Sequence, residues 1–490
     1  MKKEVAQLAK HSGIYGVGVI LSKSVGFLML PVYTHVLKPS DYGILELLDL
    51  ITFFAGIFAS VGILTAVFRF YSAYESERDR MEVISTAQLC NAGLSLVVTV
   101  LILLSAPFLA DRVLGDRSLA PFVRIVALTL FSQNLAEVPL AYLRARGRTV
   151  TYVCVGLART VFSVTLIILF LLVLKQGVRG VLIANLLSAA TAGLVLFGYV
   201  AAKAPLKLSV PKLKQMLRFG VPIVPSSLVQ FLLIFSDRFF LRHFGNLNEV
   251  GVYSLGYKLA GIVSVLVSGP LALSWAWQQF ELAKKPDGPE LYAKMQVYRL
   301  LISVFVGLAI SIFARDILHI MTGQEYWAAS RVVPLIVLSY VLTDMRAAVN
   351  SGILVKGVTF YLPIVGIFSA VSNLALNYFL VSQYWAIGAA LATVLSYAIH
   401  LALTYIVSQR VFKVPYDYRR NAVTFAAATM IYFVCTLYGL PMIASIGVKL
   451  LALILFACVC LRLLDSSERE MFLQLARGLA RRIGMSTVQA

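Results

Sequence analysis

The sequence predicts an all-α polytopic membrane protein of fourteen transmembrane helices: two parallel six-helix repeats forming a two-lobed bundle, plus two extra C-terminal helices. Composition, the spacing of apolar runs and the distribution of positive charge carry this reading. Of the 490 residues, 60% are hydrophobic and only 13% are charged, and the mean hydropathy is +0.85, well beyond what a soluble core requires. Apolar runs of about 20 residues, enough to cross the hydrocarbon layer as helices, recur along the whole chain. Lys and Arg crowd into every second intervening loop, the signature of loops held on the cytoplasmic side.

The first six runs lie at roughly 14–36, 44–68, 83–106, 119–143, 151–174 and 180–201, each matched to the helical crossing length. The opening run follows Lys2, Lys3 and Lys10 but is too long for a signal peptide and lacks a small-residue cleavage site, so it reads as an uncleaved helix. Six more runs follow at roughly 219–241, 252–273, 297–314, 328–349, 359–380 and 386–407, by the same criterion. A final pair lies near 421–438 and 442–462. The domain boundaries expected are 1–210 for the N-terminal lobe, 211–418 for the C-terminal lobe, 419–464 for the extra pair and 465–490 for a basic tail. In that tail Ser467 and Glu470 have capping-box spacing ahead of an amphipathic run with Arg477, Arg481 and Arg482, suited to lying on a membrane surface.

Orientation follows from the positive residues. Arg69, Arg78 and Arg80, Arg144 to Arg148, Lys203 to Arg218, Lys284 to Arg299, and Arg410 to Arg420 fall on the N-terminal side. They and their neighbours outnumber Lys38, Arg112, Arg117, Arg124, Lys175, Arg179, Arg242, Arg315 and Arg331 on the other by roughly three to one, placing both termini in the cytoplasm. The net charge of +20 is thereby a matter of topology and anionic lipid, and nucleic acid is not an expected partner. The stretch Lys203–Arg218 reads as an amphipathic linker on the cytoplasmic leaflet.

An offset of about 208 residues brings similar punctuation into register. Asp41-Tyr42-Gly43 falls on Glu249-Val250-Gly251, Gly180 to Ala184 falls on Gly388 to Ala392, and Arg146-Gly147-Arg148 aligns with Lys356-Gly357-Val358 after a small adjustment. An even number of helices per copy makes the repeats parallel, with a cleft between two lobes.

Catalytic signals are missing. No phosphate-cradling glycine loop occurs, the longest loop, roughly 274–296, is too short for a catalytic domain, and neither the five histidines nor the five cysteines have metal-ligand spacing. No cofactor, metal or enzymatic activity is expected. His400 lies deep in a span and reads as a core histidine.

Ionisable residues inside spans are the functional signal, because a charge at mid-bilayer costs about 2.5–3.5 kcal/mol or more unless a cavity or partner receives it. Lys23, Arg159, Arg238 and Lys258 are the candidate substrate-binding cations. Glu46 and Asp49, Glu137, Asp237, and Asp344 beside Arg346 are candidates for coupling or gating. Cations spread over several helices describe a wet, net-positive cleft, whose fitting ligand is an anion such as phosphate.

The run Phe219-Gly220-Val221-Pro222, Ser236-Asp237-Arg238, Gly251-Val252-Tyr253 and Tyr257-Lys258-Leu259-Ala260, with Asp41-Tyr42-Gly43 and Arg69-Phe70-Tyr71 in the first half, resembles bacterial polysaccharide flippases of the Wzx type. These belong to the multidrug, oligosaccharidyl-lipid and polysaccharide exporter superfamily. The resemblance implies an inner-membrane transporter that moves a polyprenyl-pyrophosphate-linked oligosaccharide from the cytoplasmic to the periplasmic leaflet by alternating access, for a surface polysaccharide such as O-antigen or exopolysaccharide. Membrane lipids, a polysaccharide polymerase and glycosyltransferases are its implied partners. Proton and sodium coupling are both compatible with it, and the last two helices are candidates for a lipid-tail groove. A drug or cation antiporter and a peptidoglycan-precursor flippase of the same superfamily are the alternatives, and a membrane polymerase or ligase, which needs larger outer loops, is a third.

Overall fold

The computed structural model describes residues 25–203, 206–437, 442–466 and 468–470. Among them all regular secondary structure is helical, and eleven segments are long and apolar enough to cross a membrane. The chain is therefore a multi-pass membrane protein. One of the eleven, Tyr361–Val411, covers two expected spans, 359–380 and 386–407. Trp385, at φ 52° and ψ −129°, interrupts it. Only the end of the first expected span, Val25–Val36, lies within the described residues. Most of the basic tail, with Ser467, lies outside them.

The first half comprises α1 (Leu30–Val36), α2 (Pro39–Ser60), α3 (Ile63–Ala73), α4 (Glu77–Leu109), α5 (Ala120–Ala145), α6 (Thr149–Ile168) and α7 (Gly177–Ala201). Pro39 starts α2 in the first turn, where its missing N–H removes no intrahelical hydrogen bond, and the Asp41 carboxylate accepts the Lys38 N–H at 3.3 Å. Val61 and Gly62 end α2 in the left-handed region at φ 41° and 67°. Gly62 faces the Gly220 carbonyl, 2.6 Å from where a Cβ would stand, so the bend requires glycine twice over. Pro107 lies in the last turn of α4, which runs on into a π-helical turn at Ala110–Leu114.

The second half comprises α8 (Val210–Gly220), α9 (Val224–Phe244), α10 (Leu247–Ala260), α11 (Gly269–Leu282), α12 (Gly288–Met321), α13 (Val333–Val349), α14 (Ser351–Val355), α15 (Tyr361–Val411), α16 (Tyr418–Leu437) and α17 (Met442–Leu463). The region read as the longest loop, 274–296, is largely helical: α11 runs to Leu282, and α12 begins at Gly288 with Pro289 in its first turn. Within the linker, α8 packs on the first half, with Met216 in a core beside Tyr71, Val83 and Tyr142. Lys212 pairs with Asp79 at 2.8 Å and Glu82 at 2.7 Å on α4.

Helix α5 packs between α4 and α7, while α9, α12, α13 and α15 associate in the second half, and α2 joins the two by packing on α9 and α10. The α2–α10 crossing has reciprocal geometry. A Cβ on Gly43 would overlap the Leu247 carbonyl, and a Cβ on Gly251 would overlap the Pro39 carbonyl. These two pairs exchange roles under the same sequence offset, as contacts across a two-fold axis do. Helices α16 and α17 pack together on α12, around an apolar cluster formed by Val304, Leu308, Ile431 and Phe456.

Candidate functional site

Three helices that meet where the halves join bring together the ionisable residues Glu46 (α2), Arg238 (α9) and Lys258 (α10). Lys258 Nζ lies 2.6 Å from Glu46 Oε1, and Arg238 Nε lies 3.5 Å from Glu46 Oε2. The Glu46 and Arg238 side chains are each only 4% exposed, whereas that of Lys258 is 46% exposed, so Lys258 opens onto a cavity while its carboxylate partner stays inside. Arg238 also donates to the Ile234 carbonyl at 2.8 Å and stacks 4.6 Å above the Tyr257 ring. Burial of these charges is sustained by mutual pairing and by the aromatic face.

Asp237 points the other way. It accepts hydrogen bonds from the Tyr253 hydroxyl and, at 3.3 Å, from Thr393, and its Oδ1 lies 3.9 Å from Arg238. Asn373, which accepts from Ser236 at 2.6 Å, and Asn377 continue this buried polar network into α15.

Lys258 faces a cavity of about 1050 Å³ bounded by α1, α5, α6, α7, α10 and α13. Its ionisable lining includes Glu137, Arg144, Arg159 and Lys258, three cations against one acid, with Tyr33, Tyr152, Asn185 and Ser163 supplying further polar groups. This size matches sites that enclose a small-molecule headgroup. A second cavity of about 770 Å³, between α9, α13 and α15, is lined by Arg346 and His400. A third, of about 590 Å³, is an apolar groove walled by phenylalanines that include Phe54, Phe58, Phe231 and Phe239.

The structure thus brings Arg159, Lys258 and Glu137 to one cavity and buries Arg238 behind it. Asp49 is exposed one turn from Glu46 on α2. Asp344 does not face Arg346, its neighbour in sequence; it is buried, accepts from Ser303 at 2.7 Å and pairs with Arg299 at 3.7 Å. Lys23 lies outside the described residues. Sequence reasoning assigned Arg144 to a loop flank, although an i, i+7 spacing from Glu137 puts both near one helix face. It also missed the Lys449–Asp316 pair, 2.5 Å apart, that ties α17 to α12. Among the described residues no group of three or more His, Cys, Asp or Glu could hold a metal ion, and the five cysteines are free.

The family described as "Polysaccharide biosynthesis protein" matches residues 8–275, more than half of the chain. The chain belongs to that polysaccharide biosynthesis family. Its fold is similar to that of a lipid II flippase, MurJ, in an inward closed conformation: the TM-score is 0.74 at 12% identity, covering 91% of this chain and 98% of that one. A multidrug resistance MATE transporter of the MOP superfamily in its inward-facing conformation is also similar, with TM-score 0.61 and 20% identity over 82% of this chain and 96% of that one. A MATE protein in the straight conformation gives TM-score 0.56 and 19% identity over 83% and 97%. No curated protein sequence matches the chain. This member of the polysaccharide biosynthesis family is therefore built on the fold shared by MurJ and MATE transporters.

Proposed function

We propose that this protein is a flippase that carries a polyprenyl-pyrophosphate-linked oligosaccharide across the inner membrane, with both termini cytoplasmic. The observation that carries the reading is the large cavity in which Arg144, Arg159 and Lys258 face a single acid, Glu137, among the described residues. A pyrophosphate is the anion that such a set would hold, through charge-assisted hydrogen bonds in a site of reduced dielectric. Two six-helix lobes rocking about the α2–α10 crossing would expose the cavity to each side in turn. The reciprocal Gly43–Gly251 contact supports that pseudo-two-fold arrangement, and the match to MurJ and MATE folds supports alternating access. A peptidoglycan-precursor flippase is the second reading, favoured by the MurJ fold and sharing the same lipid pyrophosphate. An organic-cation antiporter fits the cationic lining less well.

Among the acids, Asp237 is the one we assign to coupling. Asp237 Oδ1 and Asn377 Oδ1 are buried acceptors without a hydrogen-bond donor among the described residues, so each has a lone pair left for a proton or a hard monovalent cation. Transfer of labelled polyprenyl-pyrophosphate oligosaccharide in proteoliposomes tests the whole reading. Wild-type protein should move it, Arg159→Gln should slow it at least tenfold, and Asp237→Asn should abolish its response to an imposed proton or sodium gradient. Equal rates with and without protein would refute the function.

A further inference from the structure

The second cavity has a chemistry of its own. Arg346 and His400 are its basic lining residues, and among the described residues no Asp or Glu lines it. Arg346 Nε, His400 Nδ1 and Asn350 Oδ1 are buried polar atoms without a hydrogen-bond partner among those residues. The acid nearest to Arg346 in sequence, Asp344, is turned toward Arg299 and Ser303 instead. A guanidinium placed within a membrane span without an acid is tolerated where water or an anionic ligand meets it.

The two cavities are adjacent. Tyr257 and Tyr340 line both, packed edge to face with ring centroids 5.9 Å apart, so a wall of two aromatic rings separates the cation set of the first cavity from Arg346. Around Arg346 the lining is rich in neutral polar groups, among them Ser226, Gln230 and Tyr397. Hydroxyl and amide groups suit sugar hydroxyls, and aromatic faces suit the C–H faces of sugar rings, while a guanidinium fork suits a planar carboxylate or a phosphate.

We propose that this second cavity is a separate site for an anionic substituent, carboxylate or phosphate, on the sugar end of the substrate, with Arg346 as its charged partner. The proposal rests on the first cavity holding the pyrophosphate, and it makes the protein selective for acidic oligosaccharides.

The test uses the purified full-length protein and saturation binding of four probes: inorganic pyrophosphate, glucuronate, glucose 6-phosphate and neutral glucose. A sugar anion should bind together with pyrophosphate and more tightly than glucose. Arg346→Gln should weaken the sugar anion at least tenfold and leave pyrophosphate within twofold, and Arg159→Gln should do the reverse. Arg346→Lys, which keeps the charge without the fork, should give an intermediate loss and stands in if Arg346→Gln does not fold. Tighter glucuronate assigns the site to a carboxylate, and tighter glucose 6-phosphate to a phosphate. The proposal is overturned if sugar anions compete with pyrophosphate for one site, if neither binds better than glucose, or if the Arg346 variants change neither. Sugar-anion binding that depends on Arg346, with pyrophosphate indifferent to Arg159→Gln, would keep this site and refute the reading of the first cavity.

Discussion

Much of the charge inside the membrane spans of this protein, that of Glu46, Lys258, Arg299 and Asp344 for example, survives by pairing across helices, and the pairs are what sequence could not supply. Glu46, Asp237, Arg238, Lys258 and Asp344 are visible as ionisable residues in apolar runs. Their partners are set by packing: Asp344 meets Arg299, and Lys449 meets Asp316 on another helix. Glu46 holds Arg238 and Lys258 together, so Glu46→Gln should leave the buried guanidinium with only the Asp237 carboxylate, 3.9 Å away. Loss of one member of a buried pair costs about 3–5 kcal/mol. Thermal unfolding in detergent should therefore show a strong destabilisation of Glu46→Gln, partly relieved in the double variant Glu46→Gln/Arg238→Gln. An unchanged unfolding temperature would show that Glu46 carries no such role.

At the level of elements, apolar periodicity located nearly every described helix, because crossing length and lipid solvation impose it directly. It failed where helices outlast the membrane. The stretch 274–296 reads as a loop, yet only residues 283–287 turn, between α11 ending at Leu282 and α12 starting at Gly288. The Asp41-Tyr42-Gly43 and Glu249-Val250-Gly251 motifs were legible as a repeat, whereas their mutual contact was not. That contact leaves no room for a methyl group on either helix. Gly43→Ala and Gly251→Ala should each destabilise the protein by about 1–3 kcal/mol, as overpacking does. The double variant should fall short of the sum, because both residues serve one crossing; full additivity in chemical unfolding would argue against it. In the linker between the halves, Lys212→Ala removes the tie from α8 to Asp79 and Glu82. Trypsin should then cut just ahead of α8, at Lys207, several-fold faster, since local opening sets cleavage there. An unchanged cleavage rate would mean that other contacts hold α8.

For the molecule as a whole, one-sided charge and repeated apolar runs made a multi-pass bundle legible, and the helix-end motifs pointed to the family. The cavity was only partly legible. Arg159, Lys258 and Glu137 could be singled out by depth in their spans, but their convergence from α6, α10 and α5 on one space of about 1050 Å³ is a property of tertiary packing. That convergence is the basis for an anionic lipid-linked substrate, and it makes Arg159 the cleanest probe. Arg159 lines the cavity and, unlike Lys258, has no part in the Glu46 pair. The most direct measurement is the rate at which proteoliposomes move a fluorescent polyprenyl-pyrophosphate disaccharide between leaflets. The cavity reading predicts clear acceleration by the wild-type protein and at least a tenfold loss in Arg159→Gln at equal folded protein. Full activity of that variant, or wild-type protein that ignores the lipid yet extrudes organic cations, would contradict it.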